Sequence, residues 1–137
     1  MNANPKNTTT TKVATTKKAP KSFAEGRLYV KSSFNNTIVT VTDPKGNTIS
    51  WSSSGQAGFK GARKSTPFAA TTAIEKALDE AKKIGMKKLS VYLQGPGTGR
   101  DAALRYLRTK RDFEVEMISD ITPIPHNGPR PPKQRKV

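Results

Sequence analysis

The sequence predicts one α/β domain of three layers, in which a mixed five-stranded sheet is flanked by two helices and carries a basic arm at each end. Three short β-rich runs come first, and a helix, a strand, a helix and a strand follow them. The 137 residues, 33% of them hydrophobic, can bury one core of ordinary size but not two. From shifts in composition we assign residues 1–26 to a flexible basic N-terminal arm, 27–120 to the α/β domain and 121–137 to an extended proline-rich basic tail.

The first three strands form a meander in this prediction. Their runs are RLYVKSS, TIVTVTD and NTISWSSS. Turn-forming residues from Asp43 to Asn47 separate the last two runs and predict a hairpin. Ile38, Val39 and Val41 put apolar groups on both faces of the second run, which predicts a central strand covered on each side. Trp51, at strand spacing, is assigned to the core.

The first helix has clear start and stop signals. Thr66 is the predicted N-cap, Pro67 occupies the first helical position and Gly85 ends the helix. Apolar residues recur at helical spacing from Ile74 to Ala81. The alternating run KKLSVYLQ after Gly85 predicts the fourth strand.

The last two elements are a helix, from the run DAALRYLRTKRD, and a strand, from the run FEVEMIS. Alternation in the strand places Val115 and Met117 toward the core and Glu114 and Glu116 toward solvent. Beyond Asp120, five prolines remove backbone donors, so neither a helix nor an inner strand continues.

Charge is the strongest global signal. The chain has 25 Lys and Arg against 10 Asp and Glu, a formal net charge of +15, which predicts strong binding to polyanions. The absence of cysteine excludes disulfides, thiolate nucleophiles and cysteine-ligated metals. No signal peptide or 18-residue apolar run is present, so we expect no export and no membrane partner.

The hexapeptide GPGTGR, residues 95–100, lies where a predicted strand meets a predicted helix. Backbone N–H groups of such a turn can bind anions, with Arg100 beside them. A dinucleotide site would need a small residue in place of Arg100, which disfavours a nucleotide cofactor. An anion site and a plain structural turn both remain open.

The loop from Gly55 to Thr66 is the stronger candidate for anion binding. Its glycines allow close backbone approach, and Lys60, Arg63 and Lys64 supply positive charge before a helix N-terminus. Phe59 is interpreted as an anchor that packs the loop, in preference to a ring that stacks on a base.

Arginines in the second helix and asparagines between the first two predicted strands are further candidates. Arg105, Arg108 and Arg111 recur every third residue, so we predict that they lie along one side of the helix and bind phosphates. Asn35 and Asn36 could hydrogen-bond RNA or close a turn, and the sequence does not separate these roles.

The sequence contains no recognisable catalytic constellation. His126, the only histidine, lies in the proline-rich tail, where nothing nearby orients it as a base. A metal-dependent nuclease would need carboxylates that converge from several strands, and it remains the alternative function from another class. We therefore expect no catalytic residue, no metal and no cofactor.

Four blocks of sequence together resemble the bacterial form of small-subunit ribosomal protein eleven. They are SFNNTIVTVTD, GFKGARKSTPFAA, GPGTGR and ITPIPHNGPRPPKQRK, in that order. The resemblance runs from about Arg27 to the C-terminus, and the N-terminal arm does not match well. Lys60, Thr98 and Pro129 depart from the family pattern. These departures leave the positive charge of the implied RNA-binding segments unchanged.

This resemblance implies a ribonuclease-H-like fold without that fold's nuclease carboxylates, placed on the platform of the small subunit of the cytoplasmic ribosome. It implies binding to small-subunit ribosomal RNA, beside neighbouring ribosomal proteins and near the region where messenger RNA exits and pairs with ribosomal RNA. The RNA contacts that it implies are Asn35, Asn36, Lys60, Arg63, Lys64, Ser65, Gly97, Arg100, His126, Asn127, Arg130, Lys133, Arg135 and Lys136. The expected function is subunit assembly and architecture through shape-directed RNA binding.

Overall fold

A computed structural model describes residues 24–136, which form five strands and two α-helices. The strands are β1 (Glu25–Ser32), β2 (Thr37–Thr42), β3 (Thr48–Ser53), β4 (Lys88–Gln94) and β5 (Glu114–Asp120). The helices are α1 (Pro67–Lys83) and α2 (Gly99–Thr109), and a short 3-10 helix (Gly61–Ser65) precedes α1. Every element that the sequence predicts is present.

The sheet is mixed, with the strand order β3-β2-β1-β4-β5. β2 runs antiparallel to β1 and β3, whereas β1, β4 and β5 run parallel to one another. Four strands, β1, β3, β4 and β5, therefore end on the same side, and both helices begin there. We call this side of the domain the carboxyl end. The predicted mixed five-stranded sheet with two helices is confirmed.

Both helices lie on one face of the sheet. α1 contacts β2, β3 and α2, and α2 contacts β1. The crossovers β3-α1-β4 and β4-α2-β5 step in the same direction across the sheet, and right-handed crossovers in one direction put their helices on one face. Residues 24–136 therefore form two layers, where the sequence predicted three.

The core lies between the helices and the sheet. Leu28, Val39 and Val91 are fully buried there, together with the alanine-rich side of α1. The other sheet face, which we call the helix-free face, leaves Ile38 42% and Trp51 55% exposed. The predictions of a second strand covered on both sides and of a core tryptophan are wrong for the described chain, because alternation cannot show which face is covered.

α1 begins and ends as its sequence predicts. The Ala69 N–H donates to Thr66 Oγ1 at 3.3 Å, and Pro67 occupies the first helical position. Gly85 adopts a φ of +90°, a left-handed conformation that ends the helix without a side-chain clash. The capped N-terminus of α1 is thereby held at the carboxyl end.

A bulge in β5 changes the facing of its second half. The register with β4 shifts, so that Met117 pairs with Ser90 and Ile118 with Val91. Met117 therefore lies on the helix-free face and is 45% exposed, while Ile118 lies on the helix side. The prediction that Met117 faces the core is wrong. Strict alternation assumes that no residue is inserted in the strand, and the bulge inserts one before Met117.

The chain segments outside the sheet and helices differ in what the structure describes. β1 begins at Glu25, two residues before the predicted boundary, and residues 1–23 of the predicted N-terminal arm lie outside the described residues. Residues 121–136 are exposed and form no helix or strand. In the described part of the chain, no helix is long and apolar enough to cross a bilayer.

Candidate nucleic-acid interface

Four segments of the chain meet at the carboxyl end. They are the first hairpin loop (33–36), the basic loop (54–66), the glycine turn (95–98) and the start of the tail (121–122). The Ser54 N–H donates to the Thr37 carbonyl at 3.1 Å, which joins the basic loop to the first hairpin. Thr98 Oγ1 donates to the Ser65 carbonyl at 3.1 Å, which joins the glycine turn to the basic loop. Candidate residues that lie far apart in sequence are thus brought together.

The glycine turn is packed against the end of β1. The Gly97 N–H donates to the Ser32 carbonyl at 3.3 Å, and the Gly99 N–H donates to Ser32 Oγ at 3.0 Å. A Cβ atom on Gly97 would overlap the Ser33 carbonyl, and one on Gly95 would overlap the backbone of Ser32. These glycines are required for close packing, and their N–H groups bond within the protein. Of the two interpretations that the sequence leaves open, the geometry favours a structural turn.

Arg100 joins the glycine turn to the start of the tail at residues 120–122, which we call the root of the tail. Its guanidinium donates to the Gly95 carbonyl at 3.0 Å and to Asp120 Oδ2 at 2.7 Å. Asp120 Oδ1 accepts from the Thr122 hydroxyl at 2.6 Å and N–H at 2.9 Å, and Thr122 Oγ1 accepts from the Gly95 N–H at 3.1 Å. Hydrogen bonds from Thr122, and then from Arg100, lower the pKa of Asp120 to about 2. The tail therefore leaves the domain from a fixed point.

The basic loop presents three cations. Gly58 and Gly61 have φ values of +102° and +60°, a region that glycine adopts without strain. Lys60 and Arg63 are exposed and Lys64 is partly buried. None of the three forms an ion pair with any residue that the structure describes. Their positive charge therefore remains available to a partner.

An aromatic contact supports the basic loop. The rings of Phe59 and Phe68 meet edge to face, with centroids 5.8 Å apart. This contact favours the interpretation of Phe59 as an anchor of the loop. Phe68, at the start of α1, remains 71% exposed beside the three cations.

The first hairpin loop gives its two asparagines different roles. Asn36 closes the turn, because its carbonyl accepts from the Ser33 N–H at 2.8 Å and its Oδ1 accepts from the Thr37 N–H at 2.9 Å. Asn35 is exposed, and its side-chain amide makes no hydrogen bond to the part of the chain described. Phe34, which sequence reasoning missed, is 76% exposed at the tip. Its signal was a large apolar side chain in the middle of a tight turn.

The three arginines predicted to share one side of the second helix are separated in the structure. α2 ends at Thr109, and Lys110 has a ψ of 95° that turns the chain into an extended path, so Arg111 lies beyond the helix. Arg105 lines a groove between the two helices, whereas Arg108 lines a groove between α2 and β5. The prediction of a single arginine stripe is therefore wrong, because Arg105 lies in a different groove from Arg108 and Arg111.

The tail extends the basic surface from the carboxyl end. Its candidate residues are all exposed, namely His126, Asn127, Arg130, Lys133, Arg135 and Lys136. Asn127 has a φ of 57°, a conformation that asparagine tolerates in turns. The tail thus bends around residues 126–129 and otherwise continues without regular structure.

Acidic residues are concentrated away from the carboxyl end. All ten lie within the described chain, and of these Asp101 and Asp120 are near the carboxyl end, where Asp120 is paired with Arg100. Ion pairs on the helices and at the opposite end of the sheet are Lys82–Asp112 (3.3 Å), Lys88–Glu116 (3.5 Å) and Lys110–Glu75 (4.0 Å). Part of the positive charge is paired in those regions, whereas no cation of the basic loop or the tail forms an ion pair within residues 24–136.

Comparison with known proteins assigns the chain to a family. A model of the family described as ribosomal protein S11 matches residues 26–136. The chain belongs to the ribosomal protein S11 family. The small ribosomal subunit protein uS11 of Sulfurovum sp. (strain NBC37-1) is 54% identical over 121 residues, which cover 88% of this chain and 98% of that protein. The protein of the same name from Lawsonia intracellularis (strain PHE/MN1-00) is 55% identical over 121 residues, covering 88% of this chain and 93% of its own length.

Membership in the S11 family confirms the resemblance and decides between the classes of function. The family is a structural component of the ribosome and not an enzyme, so the nuclease alternative is excluded by the family. As a ribosomal protein, the chain resides in the cytoplasmic ribosome, as predicted. Across residues 24–136, no group of three His, Cys, Asp or Glu side chains could hold a metal ion.

Replacing Gly97 with alanine tests the close packing of the glycine turn. We expect Gly97→Ala to lower the free energy of unfolding by about 1–3 kcal/mol, because the added Cβ meets backbone at Ser33. Gly55→Ala is the matched control, since its Cβ would lie 3.7 Å from the flexible Lys64 side chain, and we expect a change within about 0.5 kcal/mol. Urea denaturation measures both variants. Equal losses in the two would contradict the packing argument.

The Asp120 carboxylate predicts how the root of the tail responds to pH. Its pKa is about 2 when folded, against about 3.9 when unfolded, so its stabilising effect is present above the unfolded value and is lost as pH falls toward 2. We expect the hydrogen-exchange protection factors of the Gly95 and Thr122 amides to fall between about pH 4 and pH 2. At pH 6, Asp120→Asn should lower both factors. Unchanged protection in that variant would show that the carboxylate does not hold the tail.

Proposed function

We propose that the protein is a structural constituent of the small ribosomal subunit and holds small-subunit ribosomal RNA at the carboxyl end of its sheet. The observation that carries this proposal is the segregation of charge. Lys60, Arg63 and Lys64 have no ion pair there and the basic tail starts from the same end, while most of the acidic side chains lie elsewhere. RNA is a polyanion, and neutralising its phosphates releases counterions, which drives binding.

The basic loop is suited to positioning RNA by its phosphates. The ring of Phe59, the bond from Thr98 to Ser65 and the capped start of α1 hold its backbone. Cations held at fixed separations select an RNA backbone of matching shape, without reading a base sequence. Ser65 and Gly97 contribute mainly through their backbone groups, whose hydrogen bonds hold the segments of this surface together.

The first hairpin loop is suited to contacting unpaired nucleotides. The exposed ring of Phe34 can stack on a base, an interaction worth about 1–3 kcal/mol in single-stranded RNA binding. The side-chain amide of Asn35 can hydrogen-bond a base edge or a ribose. Asn36 contributes by holding the turn in which both are presented.

The tail is suited to following RNA away from the domain. Its prolines favour an extended chain, and at about 3.1 Å per residue the stretch 121–136 can reach roughly 50 Å. Its four cations, Arg130, Lys133, Arg135 and Lys136, are distributed along the second half of that reach, after His126 and Asn127. Arg100 acts here by fixing the root of the tail.

We place the protein on the platform of the small subunit, near the region where messenger RNA exits and pairs with ribosomal RNA. The sequence resemblance supports this placement, and the names of the relatives support the small subunit. In this position the protein would contact neighbouring ribosomal proteins as well as RNA, and it would support subunit assembly and translation.

Charge removal at the two ends of α1 tests where RNA binds. We expect Arg63→Ala with Lys64→Ala to weaken binding to small-subunit ribosomal RNA and to reduce the slope of log affinity against log salt by about 1.8, at about 0.9 per lost phosphate contact. Lys82→Ala with Lys83→Ala removes the same charge from the opposite end of α1 and should leave the slope nearly unchanged. Filter binding over a salt series measures both. A larger effect from the second pair would show that the interface is misplaced.

The unmodified chain should show a steep response to salt. If it contacts about 6–10 phosphates, its affinity for small-subunit ribosomal RNA should fall by roughly 10³ to 10⁵ between 50 and 200 mM salt. The same titration with a flat response would exclude phosphate binding as the main contribution.

A further inference from the structure

The helix layer covers β5 only in part. α1 covers β2 and β3, and α2 lies over β1. A helix is about 10 Å wide and strands lie about 4.8 Å apart, so two helices cover about four strands and leave one of five uncovered. Ile118, on the helix side of β5, is accordingly 56% exposed. On the inner face of the last strand, Val115 therefore packs against the core, whereas Ile118 is left without cover by the described chain.

The uncovered strip is a groove of about 480 Å³ between α2 and β5. Leu104 and Leu107 of α2 form one wall, and Phe113, Val115 and Ile118 lie along β5. Three of these five side chains are partly buried and Ile118 is exposed, so the groove offers water a continuous apolar surface. Burial of such a surface favours association with another chain.

Two arginines line the same groove. Arg108 and Arg111 are exposed, and neither forms an ion pair with the residues described. Three lysines in the same half of the domain, Lys82, Lys88 and Lys110, each form an ion pair. A guanidinium binds a carboxylate through two parallel hydrogen bonds. The groove is therefore complementary to a segment that combines apolar side chains with a carboxylate.

The shape of the groove favours an extended segment over a helix. The strip is about one strand wide, whereas a helix of about 10 Å would project beyond the sheet. β5 is the last strand of the sheet, so within residues 24–136 one side of its backbone has no strand partner. An extended segment could hydrogen-bond to that backbone while its side chains enter the groove.

We propose that the groove between α2 and β5 binds an extended segment of a neighbouring protein, with apolar side chains against Ile118 and a carboxylate at Arg108 and Arg111. RNA is the weaker candidate, because the walls of the groove are apolar. Arg108 is then a protein contact, in place of the RNA contact that its spacing predicted. This inference rests on the proposed place of the chain in the small subunit.

Photochemical cross-linking in assembled small subunits tests the groove. A benzophenone amino acid replaces Ile118, which is exposed enough to be substituted without loss of the core. Irradiation should yield a cross-link to another protein that survives ribonuclease. Adding Arg108→Glu and Arg111→Glu to the labelled chain should reduce its yield by roughly five- to thirtyfold, because like charges would then face the carboxylate. If the label at position 118 prevents assembly, the same label at Leu104 reports on the same groove.

The same label at Lys60 separates this inference from the proposed RNA binding. Position 60 should cross-link to RNA, and position 118 should not. A cross-link from position 118 to RNA, to a second copy of the chain or to nothing would overturn the groove assignment. A protein cross-link at 118 without an RNA cross-link at 60 would support the groove and contradict the RNA interface.

Discussion

Close packing of the glycine turn against the end of β1 is the constraint on which the carboxyl end depends. Gly95, Gly97 and Gly99 have no side chains, so their backbone can pack closely against Ser32, and the N–H groups of Gly97 and Gly99 donate to it. That contact sets where α2 begins, where Arg100 lies and where the tail leaves the domain. Through Thr98 and Ser65 it also fixes the basic loop. The sequence of the glycine turn resembles a phosphate-binding loop. In the structure the turn instead connects the segments of the surface that we propose binds RNA.

The distribution of charge determines which part of the protein surface attracts RNA. A net charge of +15 attracts RNA to the whole chain, but ion pairs on the helices and at the opposite end of the sheet reduce that attraction locally. Exposed ion pairs of this kind add only about 0–1 kcal/mol each to stability. They pair part of the charge in those regions, whereas the cations of the basic loop and the tail form no ion pair within residues 24–136. The apolar groove beside β5 then suits a different class of partner.

Local features of the fold could be predicted from the sequence, and long-range ones could not. The N-cap Thr66 and the C-terminal Gly85 act within one helical turn, so their patterns are readable in the chain. The layer count depends on the direction of both crossovers, which becomes known only with the strand order. The predicted core position of Trp51 is wrong because alternation identifies two faces without showing which one the helices cover. The bulge before Met117 similarly leaves no local signal.

The candidate site followed the same division. Composition and glycine spacing predict the cations of the basic loop, whereas the roles of Asn35 and Asn36 depend on the hydrogen bonds of the turn.

Hydrogen exchange of the protein, free and bound to small-subunit ribosomal RNA, tests the central claim most directly. The account predicts that RNA slows exchange at 33–36, 54–66 and 121–136 and leaves the turn at 43–47 unchanged. Slowed exchange at 43–47, with no change at the carboxyl end, would contradict it.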